Sequence, residues 1–276
     1  LEIGETWTYM YEYTITEADI EAGSVTNIVT VTDPNHPDNP LQDSVMVPYV
    51  PTLIDTVTAT KIWVNGKDPR PTVWFRLYRQ IVGGDPEPVP GTVILPLPDG
   101  TTQVSWTNLH EFDIYGNPYT FSVKEVDADG NDFEPEHYTK SGEGTLEITN
   151  TYHSPDTTAE SSKEWSPLGL LDSMKFAVTF QLWRYIGSDP NTATLVDPEL
   201  NVVLDGTADG SCVEPCGFEF APWQVRWIGI PETDINGNEY HYVVKETSAL
   251  APGFTKSGEL TDTITNHYDN EDPDVV

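Results

Sequence analysis

An all-β protein built from sandwiches or barrels is the fold class this sequence predicts, on three observations. Aromatic and β-branched residues gather in short runs, and 20 glycines and 23 prolines punctuate the intervals between them, as in strands joined by turns. No long amphipathic helical period occurs, and no apolar run reaches the length that spans a bilayer. The strand pattern is also written twice, in the same order. A length of 276 residues accommodates two domains and a fragment of a third.

Residues 1–52 stand apart from the repeat. Trp7, Tyr9, Tyr11 and Tyr13 alternate along one predicted strand. Glu17 to Gly23 predicts a turn or short helix, Val25 to Thr32 a second strand, and Val45 to Tyr49 a third. Three strands without a partner layer bury little, so this stretch reads as the C-terminal half of a domain.

The first copy opens with Lys61 and Trp63 on a strand. Phe75-Arg-Leu-Tyr-Arg79, a strand around Trp106, Tyr119 to Glu125 and a closing Thr149-Asn150 follow. Ser154 to Ser162 is polar and poor in large apolar residues, and therefore reads as a linker rather than a core strand. The series then returns as Lys163 and Trp165, Phe180-Gln-Leu-Trp-Arg184, Trp227, Tyr240 to Glu246 and Thr265-Asn266. The second copy is longer, with an insertion between Ser188 and Trp223 that holds both cysteines. Asp269 to Asp274 is an acidic tail that reads as the next linker.

Forty-five acidic against 13 basic residues give a formal charge of −32. Such a surface repels phosphates and anionic lipid, which excludes nucleic-acid partners and docking on acidic membranes. A highly soluble extracellular monomer fits this balance, and a saline or calcium-rich habitat would also favour it. Cys212 and Cys216, four apart and without His or further Cys nearby, make a poor zinc site. A short disulfide in an oxidising compartment is the reading, with two free thiols as its alternative. Asp127-Ala-Asp-Gly-Asn-Asp132 has its glycine at the fourth position and no Glu in the closing register, so it reads as an acidic turn and not a calcium loop. No metal site and no cofactor is expected. The six histidines are scattered, without a Ser/His/Asp arrangement or a glycine-rich phosphate loop.

Chemistry enters through polar residues placed on apolar strand faces. Successive side chains on a strand alternate between faces. Glu125 therefore shares a face with Tyr119, Phe121 and Val123, and Glu246 with Tyr240, Tyr242 and Val244. By the same rule Asn150 joins Leu146, Ile148 and Tyr152, and Asn266 joins Ile264 and Tyr268. Lys61 joins Val57, Ala59 and Trp63, and Lys163 is spaced likewise from Trp165. An amine, a carboxyl and a carboxamide directed into a β-core are costly unless they satisfy one another. One reaction uses all three: amide formation between lysine and asparagine, assisted by the acid. A buried Lys–Glu salt bridge with a bystander Asn is the plainer alternative. Asn27 shares a face with Val25, Val29 and Val31 and is a further acceptor candidate, for a lysine that would precede residue 1.

In combination, these motifs resemble the Cna B-type domain, the stalk module of Gram-positive collagen adhesins and pilins. Residues 56–152 and 158–268 each carry the pattern: Lys-x-Trp, a Phe-x-Leu strand, a Trp strand, Gly-Asn-x-Tyr before Val-Lys-Glu, and a closing Thr-Asn. The second copy departs from it, with Ser173-Met-Lys175 where the first has Arg70-Pro71. The resemblance implies tandem immunoglobulin-like β-sandwiches over 53–154 and 155–276. It also implies isopeptide bonds joining Lys61 to Asn150 and Lys163 to Asn266, with Glu125 and Glu246 as catalytic acids. Residues 1–52 resemble the second half of another Ig-like repeat of bacterial surface proteins, through Gly4 to Tyr9 and Glu17 to Ile20.

The function so implied is a stalk or spacer in a cell-surface adhesin or pilus-like protein, with no turnover enzyme activity and a wall anchor through a C-terminal signal beyond this sequence. Its partners are neighbouring domains of the same protein, with any host or matrix ligand bound through other domains. The alternative is a ligand-binding adhesin module using the 188–223 insertion, with Trp223 or Phe218 as anchor. An exposed aromatic patch there favours binding; a loop folded onto its own domain favours the stalk.

Overall fold

A computed structural model describes residues 5–6, 8–33, 35–196, 200–208, 210 and 212–269. Gly4, Trp7 and the tail beyond Asp269 lie outside the described residues. Two compact units emerge, Leu1–Ile62 with Pro71–Glu134 and Ser141–Thr149, and Trp63–Arg70 with Pro135–Lys140 and Asn150–Val276.

In the first unit a short helix, α1 (Glu17–Ala22), starts at a capping box. The Thr16 hydroxyl accepts from the Asp19 N–H while the Asp19 carboxylate accepts from the Thr16 N–H, filling two otherwise orphaned donors. Gly23, left-handed at φ 69°, ends it where a side chain would be strained. Strands β1 (Ser24–Asp33) and β2 (His36–Pro48) form one antiparallel hairpin. The expected separate strands at 25–32 and 45–49 are thus the paired halves of a longer ribbon, with Val25 opposite Val47 and Asn27 opposite Val45. The strand expected at Tyr9–Tyr13 does not form. Among the described residues no strand is assigned there, and two of its phenols turn to polar partners: Tyr11 donates to Asn27 Oδ1 (3.0 Å) and Tyr13 to Asp19 Oδ2 (2.8 Å).

Two sheets follow. In one, β3 (Leu53–Val64) lies between β7 (Gln103–His110) and β10 (Glu147–Tyr152), with β9 (Tyr138–Ser141) beyond. In the other, β4 (Val73–Gln80) pairs along its length with β8 (Thr120–Val126) and with the short β5 (Glu87–Pro88) and β6 (Leu95–Leu97). The alternation read from the sequence sets the buried faces: Val57 and Ala59 on β3, Phe75 and Leu77 on β4, Val123 on β8 and Ile148 on β10.

In the second unit β11 (Asp156–Ser166) is the organising strand. Its first half runs antiparallel to β16 (Gln224–Pro231), and from Ser162 it runs parallel to β19 (Thr263–Tyr268). Strands β15 (Cys216–Ala221) and β18 (Phe254–Ser257) complete that sheet. The facing sheet sets β12 (Val178–Ile186) against β17 (Tyr240–Glu246), β13 (Thr194–Leu195) and β14 (Val202–Leu204). Phe180, Leu182, Leu204, Trp227 and Ile264, contributed by both sheets, pack into one core, which makes this unit a β-sandwich. The Trp227 indole N–H is satisfied inside it by Leu200 O (2.8 Å).

The structure corrects the linker. Residues 156–162, read from the sequence as linker, already belong to β11. Small Ala159 and Ser161 point inward, and the antiparallel ladder with β16, joined by β19 only from Ser162, holds the segment as strand without the large apolar residues that the sequence criterion required. The acidic segment at Asp127 is a turn, as expected. Asp127 Oδ1 accepts from the N–H groups of Asp129 and Asn131, and Oδ2 accepts from Asn131 Nδ2. Asp113 and Asp234 repeat the arrangement four residues before Asn117 and Asn238. These bonds hold the Asp113 and Asp127 carboxyls below the ordinary carboxylate range, side-chain bonds from the asparagines leading.

Candidate functional site

The parallel contact of β11 with β19 and the pairing of β12 with β17 bring three polar side chains into the core of the second unit. Lys163 is 4% exposed, Glu246 2% and Asn266 fully buried. Lys163 Nζ lies 2.8 Å from Glu246 Oε2, and Asn266 Nδ2 donates to the other carboxyl oxygen, Oε1, at 3.0 Å. One carboxyl thus bridges amine and carboxamide, an oxygen to each. The amine also reaches Ile264 O at 3.4 Å, and the ring of Trp165 stands over it, centroid 5.0 Å away. Among the described residues, nothing donates a hydrogen bond to Asn266 Oδ1.

Burial drives the Lys163 pKa below its ordinary value. Hydrogen bonding to Glu246 and its charge oppose the shift, while the Lys256 charge adds to it. The shift is toward the neutral amine, the nucleophilic form.

The first copy places its residues in the same way as far as each can be followed. Lys61 is 1% exposed, and its Nζ lies 2.9 Å from the fully buried Glu125 at Oε2. Asn150 is fully buried on β10, neighbour of β3 in the sheet. Each predicted triad member is thus on an inward face.

Cys212 and Cys216 are paired as a disulfide. The insertion that carries them folds onto its own domain: β15 pairs with β16 from Cys216 to Ala221, and Trp223 packs against the core. The exposed large apolar residues described between 188 and 223 are Val203 and Val213, without an aromatic. By the criterion set above, that arrangement favours the stalk over the binding module. Among the described residues no cluster of His, Cys, Asp or Glu is arranged to hold a metal ion, and no helix is long and apolar enough to cross a membrane.

Sequence reasoning missed two features of this site. Glu219, 2% exposed, is a buried acid in the insertion, accepting from the backbone N–H groups of Asp205, Gly206 and Trp223. Its place between Phe218 and Phe220 pointed the other way, since alternation would turn a residue between two apolar neighbours outward. Lys256 donates to Glu246 O at 2.7 Å, and nothing in its neighbourhood in the sequence signals that.

Sandwich units with a lysine, a glutamate and an asparagine buried on matched strands define a class of β-module. The model of the Cna protein B-type domain matches residues 57–151 and 198–267, together more than half of the chain, and the chain belongs to that family. The first match contains Lys61, Glu125 and Asn150; the second contains Glu246 and Asn266 and begins after Lys163. A collagen adhesin of Staphylococcus aureus is 42% identical over 108 residues, 39% of this chain and 9% of that relative's length. Among solved structures, a single B repeat unit (B1) of the collagen-binding surface protein Cna of S. aureus is 19% identical with a TM-score of 0.29, over 79% of this chain and 100% of that one. The major pilin of Streptococcus pyogenes is 12% identical with a TM-score of 0.28, over 78% and 99%. At those scores both are distant likenesses.

Proposed function

We propose that the chain is part of the stalk of an extracellular surface protein, two tandem domains (53–154 and 155–276) each locked by an autocatalytic lysine–asparagine amide. The observation that carries this reading is the Glu246 carboxyl bridging a buried amine and a buried carboxamide. Neutral Lys163 Nζ attacks the Asn266 side-chain carbonyl carbon. A proton leaves the amine for Glu246 Oε2, and the carboxyl returns one from Oε1 to Nδ2. The carbon–nitrogen bond to Nδ2 then breaks, releasing ammonia and leaving the Lys163–Asn266 amide. Enclosure supplies orientation, worth about 7–11 kcal/mol in well-aligned intramolecular cases, and keeps out hydrolytic water. Lys61, Glu125 and Asn150 take the same roles in the first copy. Each reaction happens once, as maturation, and neither copy turns over a substrate.

A bond between the first and last strands of a domain places a covalent link across the elements that carry tension, which suits a stalk. The family and the adhesin relative support a place at the cell surface, within a larger surface protein whose neighbouring domains would be the partners. Intact mass tests the reading. The purified chain is expected to weigh less than its sequence by two ammonia molecules, after allowing for the two hydrogens lost at Cys212–Cys216. Peptide mapping is expected to recover Lys61 joined to Asn150 and Lys163 joined to Asn266. A mass equal to the unmodified sequence rejects both bonds.

A further inference from the structure

The second copy departs from the first at two points: it lacks Arg70-Pro71, and it carries the insertion. One structural feature connects them. In the first copy Trp63, two residues after Lys61, is covered by the Arg70 guanidinium at 5.9 Å from the ring centroid and by Tyr138 at 5.1 Å. Trp165, two residues after Lys163, is enclosed instead by rings: Phe176 and Trp223 at 5.1 Å and Phe254 at 5.8 Å.

Trp223 comes from the end of the insertion and sits in the left-handed region at φ 62°, an unfavourable conformation for a residue with a bulky side chain. Glu219 holds it there. Glu219 Oε1 accepts from the Trp223 N–H (2.6 Å) and the Gly206 N–H (3.1 Å), and Oε2 from the Asp205 N–H (3.0 Å). A carboxyl this buried persists because its acceptor sites are filled. The same turn aims Trp223 O at the Lys163 backbone N–H, 2.8 Å away; at the matching point of the first copy Thr102 O accepts from Lys61 N–H at 2.7 Å. The path therefore runs from Glu219 through the Trp223 turn to the backbone of Lys163, and through the Trp223 ring to Trp165 over the amine.

We propose that Glu219 and Trp223 are positioning residues for the Lys163–Asn266 reaction, the insertion providing over Trp165 the cover that Arg70 gives Trp63. This rests on the bond-forming reading above.

The test uses the full chain made by cell-free synthesis, stopped and sampled over time, with peptide mass spectrometry following both bonds in one molecule. The Lys61–Asn150 product is the internal clock. Glu219→Gln and Trp223→Leu are expected to slow the second bond about 10–100-fold against the first, the usual cost of misplacing a reacting group. Trp223→Phe keeps a ring and is expected to stay near the wild-type ratio. A purely structural role predicts rates that follow stability, so the Leu and Phe variants are also melted in a Lys163→Ala background, where no second bond forms. Rates that differ at matched stability support positioning. Should Trp223→Leu fail to fold, the isosteric Glu219→Gln decides alone. Wild-type ratios in Glu219→Gln and Trp223→Leu overturn the inference. A wild-type chain whose second copy never loses ammonia overturns the bond-forming reading instead.

Discussion

A lysine amine enclosed by aromatic rings and a carboxyl is a different reagent from one in water. At Lys163 desolvation outweighs the attraction of Glu246, and the sign of the resulting pH effect can be worked out. In Asn266→Ala the bond cannot form and Lys163 remains titratable. Its folded pKa lies below the unfolded value of about 10.4, so between the two the unfolded chain binds more protons and stability rises with pH. Denaturant melts of Asn266→Ala are expected to show that alkaline gain relative to Lys163→Ala/Asn266→Ala, and the crosslinked wild type, having no free amine there, is expected to lack it. A flat difference between the two variants would show that Lys163 is not held in its neutral form. Glu246→Ala tests the acid itself: the second bond alone is expected to be lost, with Lys61–Asn150 still formed in the same chain. A crosslink forming at the normal rate would remove Glu246 from the proton path. These residues were legible in the sequence because an inward polar residue among Val, Ile and Tyr at period two has few innocent explanations. The bridging of two groups by one carboxyl was not legible, because it depends on two sheets facing each other.

At the scale of elements, the turn Asp-x-x-Gly-Asn recurs at Asp113, Asp127 and Asp234, and two of the three precede a strand that carries a buried glutamate at or next to its end, Glu125 or Glu246. A carboxylate that accepts three local hydrogen bonds fixes where the following strand begins, and so which residues face inward. Asp234→Ala is expected to cost the second copy about 1–3 kcal/mol, measured by urea in a Lys163→Ala background. Asp129→Ala, whose side chain caps nothing in its turn, is expected to stay within about 0.5 kcal/mol. If Asp234→Ala is equally silent, the turn does not set the register. Strand β11 marks the limit of the sequence criterion. Ser154 to Ser162 lacks large apolar residues, yet most of it is strand, because the ladder with β16 satisfies its backbone and its inner face takes the small Ala159 and Ser161. The aromatic run at Tyr9–Tyr13 is the converse case: alternation was present and the partner ladder was not.

For the whole molecule, the decisive quantity is where the proposed covalent link would sit along the chain. If that link forms, closing a loop of about a hundred residues would contribute about 4.7 kcal/mol through the unfolded state, by analogy with a disulfide, and an amide survives reductants. In single-molecule pulling the wild-type domains are expected to extend very little, since nearly all of each domain lies between its joined residues. Lys61→Ala and Lys163→Ala are each expected to release the full contour length of one domain and leave the other locked. Equal extension in wild type and variants would mean that these are not tension-bearing units. The charge of −32 acts at this scale too, through solubility and repulsion between chains rather than through the fold.

Much of this protein was legible in its sequence alone: the all-β class, the duplication, the inward faces and the burial of six polar residues, Lys61, Glu125, Asn150, Lys163, Glu246 and Asn266. Each is a local or periodic property, fixed by which side chains alternate with which. The tertiary structure decided what periodicity cannot carry. It set the parallel contact of first and last strands that brings Lys163 to Asn266, the strand hidden in a polar segment, and the insertion folded over Trp165 and held by Glu219. Those outcomes depend on groups many residues apart meeting in a space from which water is excluded, where an unpaired amine or carboxyl is too costly to remain unmatched.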